Sequence, residues 1–285
     1  MMGKSILITG ANGFVGSFLL EVLSDTDWEI IPFVQIDTGL ENEIVMDFCD
    51  PDFCKVINTL PKVDKIVHLG ARIVLDNSPK SALFVPNVLA TAELANWACK
   101  IGAHFIFASS AIVCGINTSH ITSATPQNPD TNYGYSKWLA EEIIRMSGVK
   151  HTILRIAGIF GKNGPSHLGI NRAIADALSG IVPLQYGDGK IRRNYIYLKN
   201  LGNIIKFCIE NEVEGTHLVG GSSINTISEM LQIICDIFLP GKKPKYIEGK
   251  KNHDQIIEHS KHLPEGHSFE DAVRDIKNGL YERKA

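Results

Sequence analysis

Short apolar runs alternate with longer amphipathic ones along the first half of the chain. ILIT (6–9), WEIIPFVQI (28–36), KIVHLG (65–70), HFIFASS (104–110) and HTILRIA (151–157) read as strands. Between them, FVGSFLLEVLSD (14–25) has helical periodicity. DPDFCKVINTL (50–60) reads as a helix that Asp50 is able to cap, with Pro51 in its first position. LFVPNVLATAELANWACKIG (83–102) predicts a long helix ending at a glycine and kinked at Pro86, and TNYGYSKWLAEEIIRMSG (131–148) predicts another. Strand–helix alternation with short connections implies an α/β chain built on a doubly wound parallel sheet, covered on both faces, with right-handed crossovers. No internal repeat or low-complexity segment interrupts it.

After residue 160 the alternation loosens. INRAIADALSG and residues 200–212 read as helices, and THLVGG (216–221) as a strand. INTISEMLQIICDIFL follows as a helix capped by Asn225 or Thr226, and SFEDAVRDIKNGLYERK (268–284) as an amphipathic terminal helix. The expected division is a first domain over 1–163, with 191–213 returning to it, and a small lobe from 164–190 and 214–285.

Composition narrows the function classes. With 285 residues, 44% hydrophobic content and a net charge of −3, the chain has the profile of a soluble globular protein. Interspersed charges without a basic block argue against a nucleic-acid partner. No apolar run nears the ~18 residues of a membrane span, and the N-terminal run enters glycines without a signal-peptide cleavage pattern. Six scattered cysteines with no CxxC pair suggest free, mostly buried thiols in a reducing cytoplasm. His253, His259, His262 and His267 do not match a zinc spacing, so no metal is expected.

ITGANGFVG (8–16) joins the first strand to the first helix and carries Gly10, Gly13 and Gly16. A tight turn needs positive φ, a pyrophosphate needs bare backbone, and the helix N-terminus offers free N–H groups to phosphate. Strand before and helix after give this triplet the context of a dinucleotide site. The second strand ends FVQIDTG, without Arg or Lys to meet a 2′-phosphate. Its one acid, Asp37, lies slightly beyond the usual ribose position, where Val34 or Gln35 falls instead. NAD is therefore preferred over NADP.

YGYSK (133–137) places Tyr133 and Lys137 at i and i+4, on one helix face, whereas Tyr135 points away. A phenol of pKa about 10 is a poor base at neutral pH, and a nearby ammonium favours its phenolate. The plain alternative is an amphipathic helix residue beside a solvated lysine. Ser109 and Ser110 end the strand HFIFASS, at the edge where open α/β sheets bind ligands.

Taken in order, the glycine loop, the strand-end serine and the Tyr–Lys helix resemble the extended short-chain dehydrogenase/reductases, specifically the NAD-dependent epimerase/dehydratase family acting on nucleotide sugars. That resemblance implies a Rossmann-like fold with a small C-terminal substrate-binding lobe. TGANGFVG implies cofactor contacts for Gly10, Asn12, Gly13, Phe14, Val15 and Gly16. MDFCD implies Asp47 and Phe48 near the adenine, VHLGA puts Leu69, Gly70 and Ala71 along the cofactor, and NVLAT gives Asn87 a structural or cofactor-side role. FIFASSAIVCG puts Ser110 at the catalytic position, YGYSK supplies Tyr133 and Lys137, and LRIAGIFG resembles the segment beside the nicotinamide. GDGKIRRNYIYL matches Arg193 to an arginine on the nucleotide diphosphate, against the plain reading of a surface residue.

Departures matter equally. The family's dehydratases carry Thr-Asp-Glu at the strand end; here Ser110, Ala111 and Ile112 stand there, and neither Ala nor Ile can carry a proton, which disfavours dehydration. Cys114 replaces the usual tyrosine of the family's VYG, and is read as a buried core thiol. The short link from the second strand to Asp47 implies a pared-down adenine-ribose site. The expectation is a 4-epimerase or 4-ketoreductase on a nucleotide sugar, working as a homodimer through the long helices at 83–102 and 131–148. The alternatives are a short-chain reductase of a non-sugar carbonyl and a non-catalytic dinucleotide-sensing protein.

Overall fold

The computed structural model describes residues 4–73, 81–249 and 253–279. Positions 74–80 and the last turn of the expected terminal helix lie outside them. Seven strands, β1 (Lys4–Thr9), β2 (Trp28–Val34), β3 (Ile44–Val45), β4 (Lys65–His68), β5 (His104–Ser110), β6 (His151–Ile156) and β7 (Gly215–Val219), form one sheet in the order β7-β6-β5-β4-β1-β2-β3. β1 runs parallel to both β2 and β4, β2 to β3, and β4 to β5. The doubly wound sheet reverses its order between β1 and β4, the topological switch point at which such sheets bind ligands.

Two compact units make up the chain. One comprises Met1–Ile116, Pro126–Arg155 and Gly202–His217. Its core packs Leu7, Phe33, Ile66 and Phe105 from the strands against helices α4 (Ala90–Ile101) and α5 (Asn132–Met146), through Leu94, Trp97 and Ile144. The second unit comprises Asn117–Thr125, Ile156–Leu201 and Leu218–Ala285. In it, α6 (Gly169–Leu178) and, after α7 (Leu198–Asn211), α8 (Ile227–Phe238) and α9 (Phe269–Asn278) bury Ile174, Met230, Ile234 and Val273 together. Thr226, not Asn225, caps α8: its hydroxyl accepts the Glu229 N–H while Glu229 reaches back to the Thr226 N–H, a complete capping box.

Two local expectations need correction, and the one at Pro86 takes a definite form. The helix predicted over 50–60 begins at Phe53 as α2 (Phe53–Thr59). The Asp50 carboxylate accepts the Asp52 N–H (2.8 Å), and the Phe53 N–H donates to the Asp50 carbonyl (3.0 Å), so Asp50-Pro51 closes a turn before the helix. At Pro86 the helix changes its hydrogen-bond pattern. Chain Ser81–Phe84 (α3) passes into a π-helical turn, Val85–Leu89, where the Ala90 N–H reaches back to Val85. The wider turn accommodates a residue that lacks an N–H. Finally, the thiols are free but not mostly buried: Cys114, Cys208 and Cys235 are buried, Cys49, Cys54 and Cys99 exposed.

At the opposite end of the strands, His104 is buried with Nε2 on the Thr152 hydroxyl (2.9 Å) and Nδ1 without a hydrogen-bond partner. Burial, with the Lys65 charge adding to it, lowers its pKa to about 4. The unfolded chain takes up this proton near pH 6.5, the folded one only near pH 4, so stability is lost as pH falls through that window and levels off below it. The expected cost is about 3 kcal/mol, read from urea melts at pH 7 and 4. A non-titrating His104→Gln protein should lose that share of the slope; an equal slope in both proteins would contradict the assignment.

Candidate active site

The glycine loop turns at the end of β1. Gly10 has φ 66°, and a Cβ there would lie 2.9 Å from both the Cα and the N of Gly70 at the end of β4. On Gly16, a Cβ would sit 2.1 Å from the Gly10 carbonyl oxygen. Gly13 caps helix α1 (Phe14–Leu23), whose first turn carries no acid. Asn12 and Gly13 are exposed, Phe14 and Val15 half-buried. Bare backbone at a helix N-terminus, in a cradle that a Cβ would fill, fits a dinucleotide pyrophosphate.

A buried relay fixes the next loop. The Gly70 N–H donates to the Thr9 hydroxyl, 2.6 Å from His68 Nδ1; His68 Nε2 lies 2.9 Å from the Thr91 hydroxyl, which donates to the Asn87 carbonyl. With Thr91 spending its proton on Asn87, Nε2 carries the imidazole hydrogen and Nδ1 accepts from Thr9. Burial, then the Lys137 charge, holds His68 neutral. The Asn87 side chain accepts the Arg72 N–H and donates to the Arg72 carbonyl and Ser136 Oγ. Asn87 thus clamps the half-buried Leu69–Gly70–Ala71 segment in place rather than facing open space. The Phe48 ring, stacked on Phe33 and edge-on to Phe53 and His68, occupies the volume a side chain at Gly70 would need. Beside it, the Asp47 carboxylate accepts the Cys49 N–H (2.7 Å) and the Gln35 amide (2.6 Å). These bonds, Cys49's first, and the Arg72 charge hold it below the usual carboxylate range, against the opposing pull of burial.

The two strand-end serines part company. Ser109 is buried and donates to Glu141 Oε1 at 2.5 Å. Ser110, on the other face of the strand, is half-buried and starts a 3-10 turn over Ala111–Cys114. Helix α5 comes close to that turn because residue 134 is glycine: a Cβ there would lie 3.0 Å from the Ile112 carbonyl oxygen. That approach brings the start of α5, which carries Tyr133 and Lys137, against the turn that follows Ser110. Tyr135 is half-exposed and stacks edge-on with Trp138.

Lys137 is buried, donates to the Ala108 carbonyl (2.8 Å), and lies 4.5 Å from the Phe107 ring centroid and 5.8 Å from that of Tyr133. Burial lowers its ammonium to about 7, with Glu141 pulling the other way. The Tyr133 phenol is pushed well up by burial in the ligand-free protein. Burial of the whole pair outweighs one ammonium at that distance. Residues the sequence reading missed are Thr9, His68, Thr91, Ser136 and Glu141. The available signal was a carboxylate four residues after Lys137, on the same helix face.

In the second unit, Arg193 lies in a two-residue strand paired with Asn225–Thr226, and donates to the His253 and Arg192 carbonyls. Arg192 is the one tied to a carboxylate, Asp254 (2.8 Å). Cys114 is buried, its thiol pushed up first by burial. No cluster of three metal-ligating side chains occurs among the described residues. His259 bonds the Gly220 carbonyl and His267 the Asn200 side chain. No helix among the described residues is long and apolar enough to cross a membrane.

A model of the NAD dependent epimerase/dehydratase family matches residues 6–221. UDP-glucuronic acid decarboxylase 1 of Arabidopsis thaliana is 28% identical over 261 residues, covering 82% of this chain and 58% of that one. The N-acetyl-alpha-D-glucosaminyl-diphospho-ditrans,octacis-undecaprenol 4-epimerase of Escherichia coli O157:H7 is 29% identical over 221 residues, 75% of this chain and 66% of that one. The chain thus spans about three-fifths to two-thirds of these relatives. The crystal structure of UDP-N-acetylglucosamine 4-epimerase from Bacillus cereus superposes with a TM-score of 0.85 at 22% identity, over 97% of this chain and 99% of that one.

Proposed function

The chain belongs to the NAD-dependent epimerase/dehydratase family, and from that premise we propose that it is an NAD(P)-dependent enzyme acting at C4 of a nucleotide-activated hexose. The reaction is 4-epimerisation, or reduction of a 4-ketose. One observation supports the reading: Gly134 lets α5, the helix that carries Tyr133 and Lys137, approach the turn after Ser110 closely.

A bound nicotinamide dinucleotide supplies the hydride acceptor or donor. Gly10, Gly13 and Gly16 hold its pyrophosphate, aided by Asn12, Phe14 and Val15. Leu69, Gly70 and Ala71 line its length, with Asn87 behind them, and Asp47 and Phe48 border the adenine. Ser110 bonds the reacting sugar oxygen. In the reducing direction the Tyr133 phenol gives its proton to that oxygen; in the oxidising direction the phenolate takes it. Lys137, as the ammonium, stabilises the phenolate and holds the nicotinamide ribose. Arg193 takes the substrate's diphosphate. Water elimination is disfavoured because Ala111 and Ile112 have no titratable group.

NAD is proposed over NADP, since the residues after β2 offer no cation and Asp47 adds a negative charge next to Gln35. At least tenfold tighter NADP binding in a titration would reverse this. The six free thiols suit a cytoplasmic protein. We also propose a homodimer interface on the helices over 83–102 and 131–148, where Phe84, Tyr135 and Leu139 line an exposed apolar groove. Leu139→Glu is expected to convert a dimer to a monomer in light scattering; a monomeric parent at micromolar concentration would remove the interface.

The reaction is tested with UDP-, dTDP- and GDP-hexoses, 4-keto-6-deoxyhexoses and UDP-glucuronic acid, each with NAD(H) or NADP(H). Inversion at C4 without net cofactor change identifies an epimerase, and stoichiometric cofactor oxidation a ketoreductase. Carbon dioxide release from the glucuronide would replace both. Cofactor binding without turnover on any sugar would favour the sensing role instead.

A further inference from the structure

We propose that Glu141 is a positioning residue for Lys137: it ties the buried face of α5 to the end of β5 and supplies the negative charge beside which the Lys137 ammonium is held. The inference rests on Tyr133 and Lys137 being the proton-handling pair.

Lys137 and Glu141 stand one turn apart on α5, and are 2% and 0% exposed. Consecutive residues of β5 receive them. Lys137 Nζ donates to the Ala108 carbonyl at 2.8 Å, and the Ser109 hydroxyl donates to Glu141 at 2.5 Å. The next residue is Ser110. A slide or roll of α5 that carried Tyr133 away from Ser110 would strain both bonds, so the pair acts as a two-point register between helix and strand.

The charges around the ammonium make Glu141 more than a tether. Facing Lys137 are the Phe107 ring of β5, the Tyr133 ring on its own helix, and His68 of β4, which is held neutral. Among these, Glu141 is the group that favours the ammonium over burial. The carboxylate is itself secured. Arg155 of β6 donates to both its oxygens, Arg145 of α5 bonds it at 2.8 Å, and Gln127 lies at 3.4 Å. Burial raises this carboxyl; the Arg155 bonds, then those of Ser109 and Arg145, more than offset it, so it stays ionised. The Cys114 thiol, near enough to register both Arg155 and Glu141, is pushed up by burial and stays neutral. A buried carboxylate that only balanced the arginines would leave Lys137 indifferent when the carboxylate and its arginine partner are removed together.

The test is an NMR pH titration of ligand-free protein carrying ε-13C lysine, with Lys137→Met identifying the signal. Glu141→Gln is expected to lower the Lys137 midpoint by about one pH unit or more. Glu141→Asp, which keeps the charge one methylene further back, is expected to lower it less. An unchanged midpoint in folded Glu141→Gln protein overturns the proposal. Gln leaves Arg155 buried without its carboxylate, so the paired Glu141→Gln/Arg155→Gln protein, which removes both charges together, provides a second arm. A downward move, smaller than in the single variant, is expected there, and a static midpoint again overturns the proposal. The titration needs no substrate. A sugar panel without turnover counts against the proposed reaction alone, and a static Lys137 against Glu141 alone.

Discussion

Tyr133→Phe is expected to lower turnover by about 10²–10⁴-fold while leaving dinucleotide affinity within about twofold. The ring keeps its place on the buried face of α5, and only the oxygen that moves the proton is removed. Tyr135→Phe, on the half-exposed ring that stacks with Trp138, is expected to change turnover by less than about twofold. The pair of variants separates chemistry from packing, because both delete one phenolic oxygen from the same helix. Steady-state rates on whichever sugar the substrate panel identifies, beside a fluorescence titration with reduced cofactor, read both. A near-normal rate for Tyr133→Phe would remove it from the mechanism, and equal damage from Tyr135→Phe would remove the argument from helix faces. Burial raises the free Tyr133 phenol and lowers Lys137 to about 7. Ligand-free protein at neutral pH therefore holds a neutral phenol beside a partly charged amine, and formation of the phenolate depends on what binds.

Gly16→Ala is expected to weaken dinucleotide binding by about 100-fold or more, about 2.7 kcal/mol. The added carbon would stand 2.1 Å from the Gly10 carbonyl oxygen, and its neighbour is backbone, which cannot rotate aside. Either α1 moves off β1 or the loop opens, and both spoil the approach of N–H groups to phosphate. Gly169→Ala, at the start of α6 with nothing within 4 Å of the new carbon, is the control and should leave binding unchanged. Calorimetric titration of the two proteins with NAD settles it: equal affinity would mean the loop relaxes freely and the cradle is not where the pyrophosphate sits.

Much of the site was legible in the sequence because its requirements are local. A tight turn between strand and helix demands small residues at fixed offsets, so Gly10, Gly13 and Gly16 stand out unaided. Helical spacing alone joins Tyr133 to Lys137 and excludes Tyr135. Period and punctuation found six of the sheet's seven strands and missed the two-residue β3, too short to show a period. Asp50 spent its carboxylate on a turn instead of a cap, and the helix through Pro86 widened to a π turn.

What the sequence could not supply is which polar groups meet across elements. Ser109 and Ser110 are adjacent and chemically identical; only the packing of α5 against β5 gives the first to Glu141, while the second starts the 3-10 turn. His68 looks like an ordinary residue of an apolar strand until Thr9 and Thr91 bracket its two ring nitrogens. Lys137 carries a full charge in any reading of the sequence, and loses part of it to burial in the fold. By itself the sequence determined the elements, the glycine loop and the Tyr–Lys face, because those follow from steric and helical rules over a few residues. The tertiary structure alone decided the tautomer of His68, the partner of Ser109 and the ionisation of Lys137, because desolvation and hydrogen bonding depend on groups brought together from distant parts of the chain.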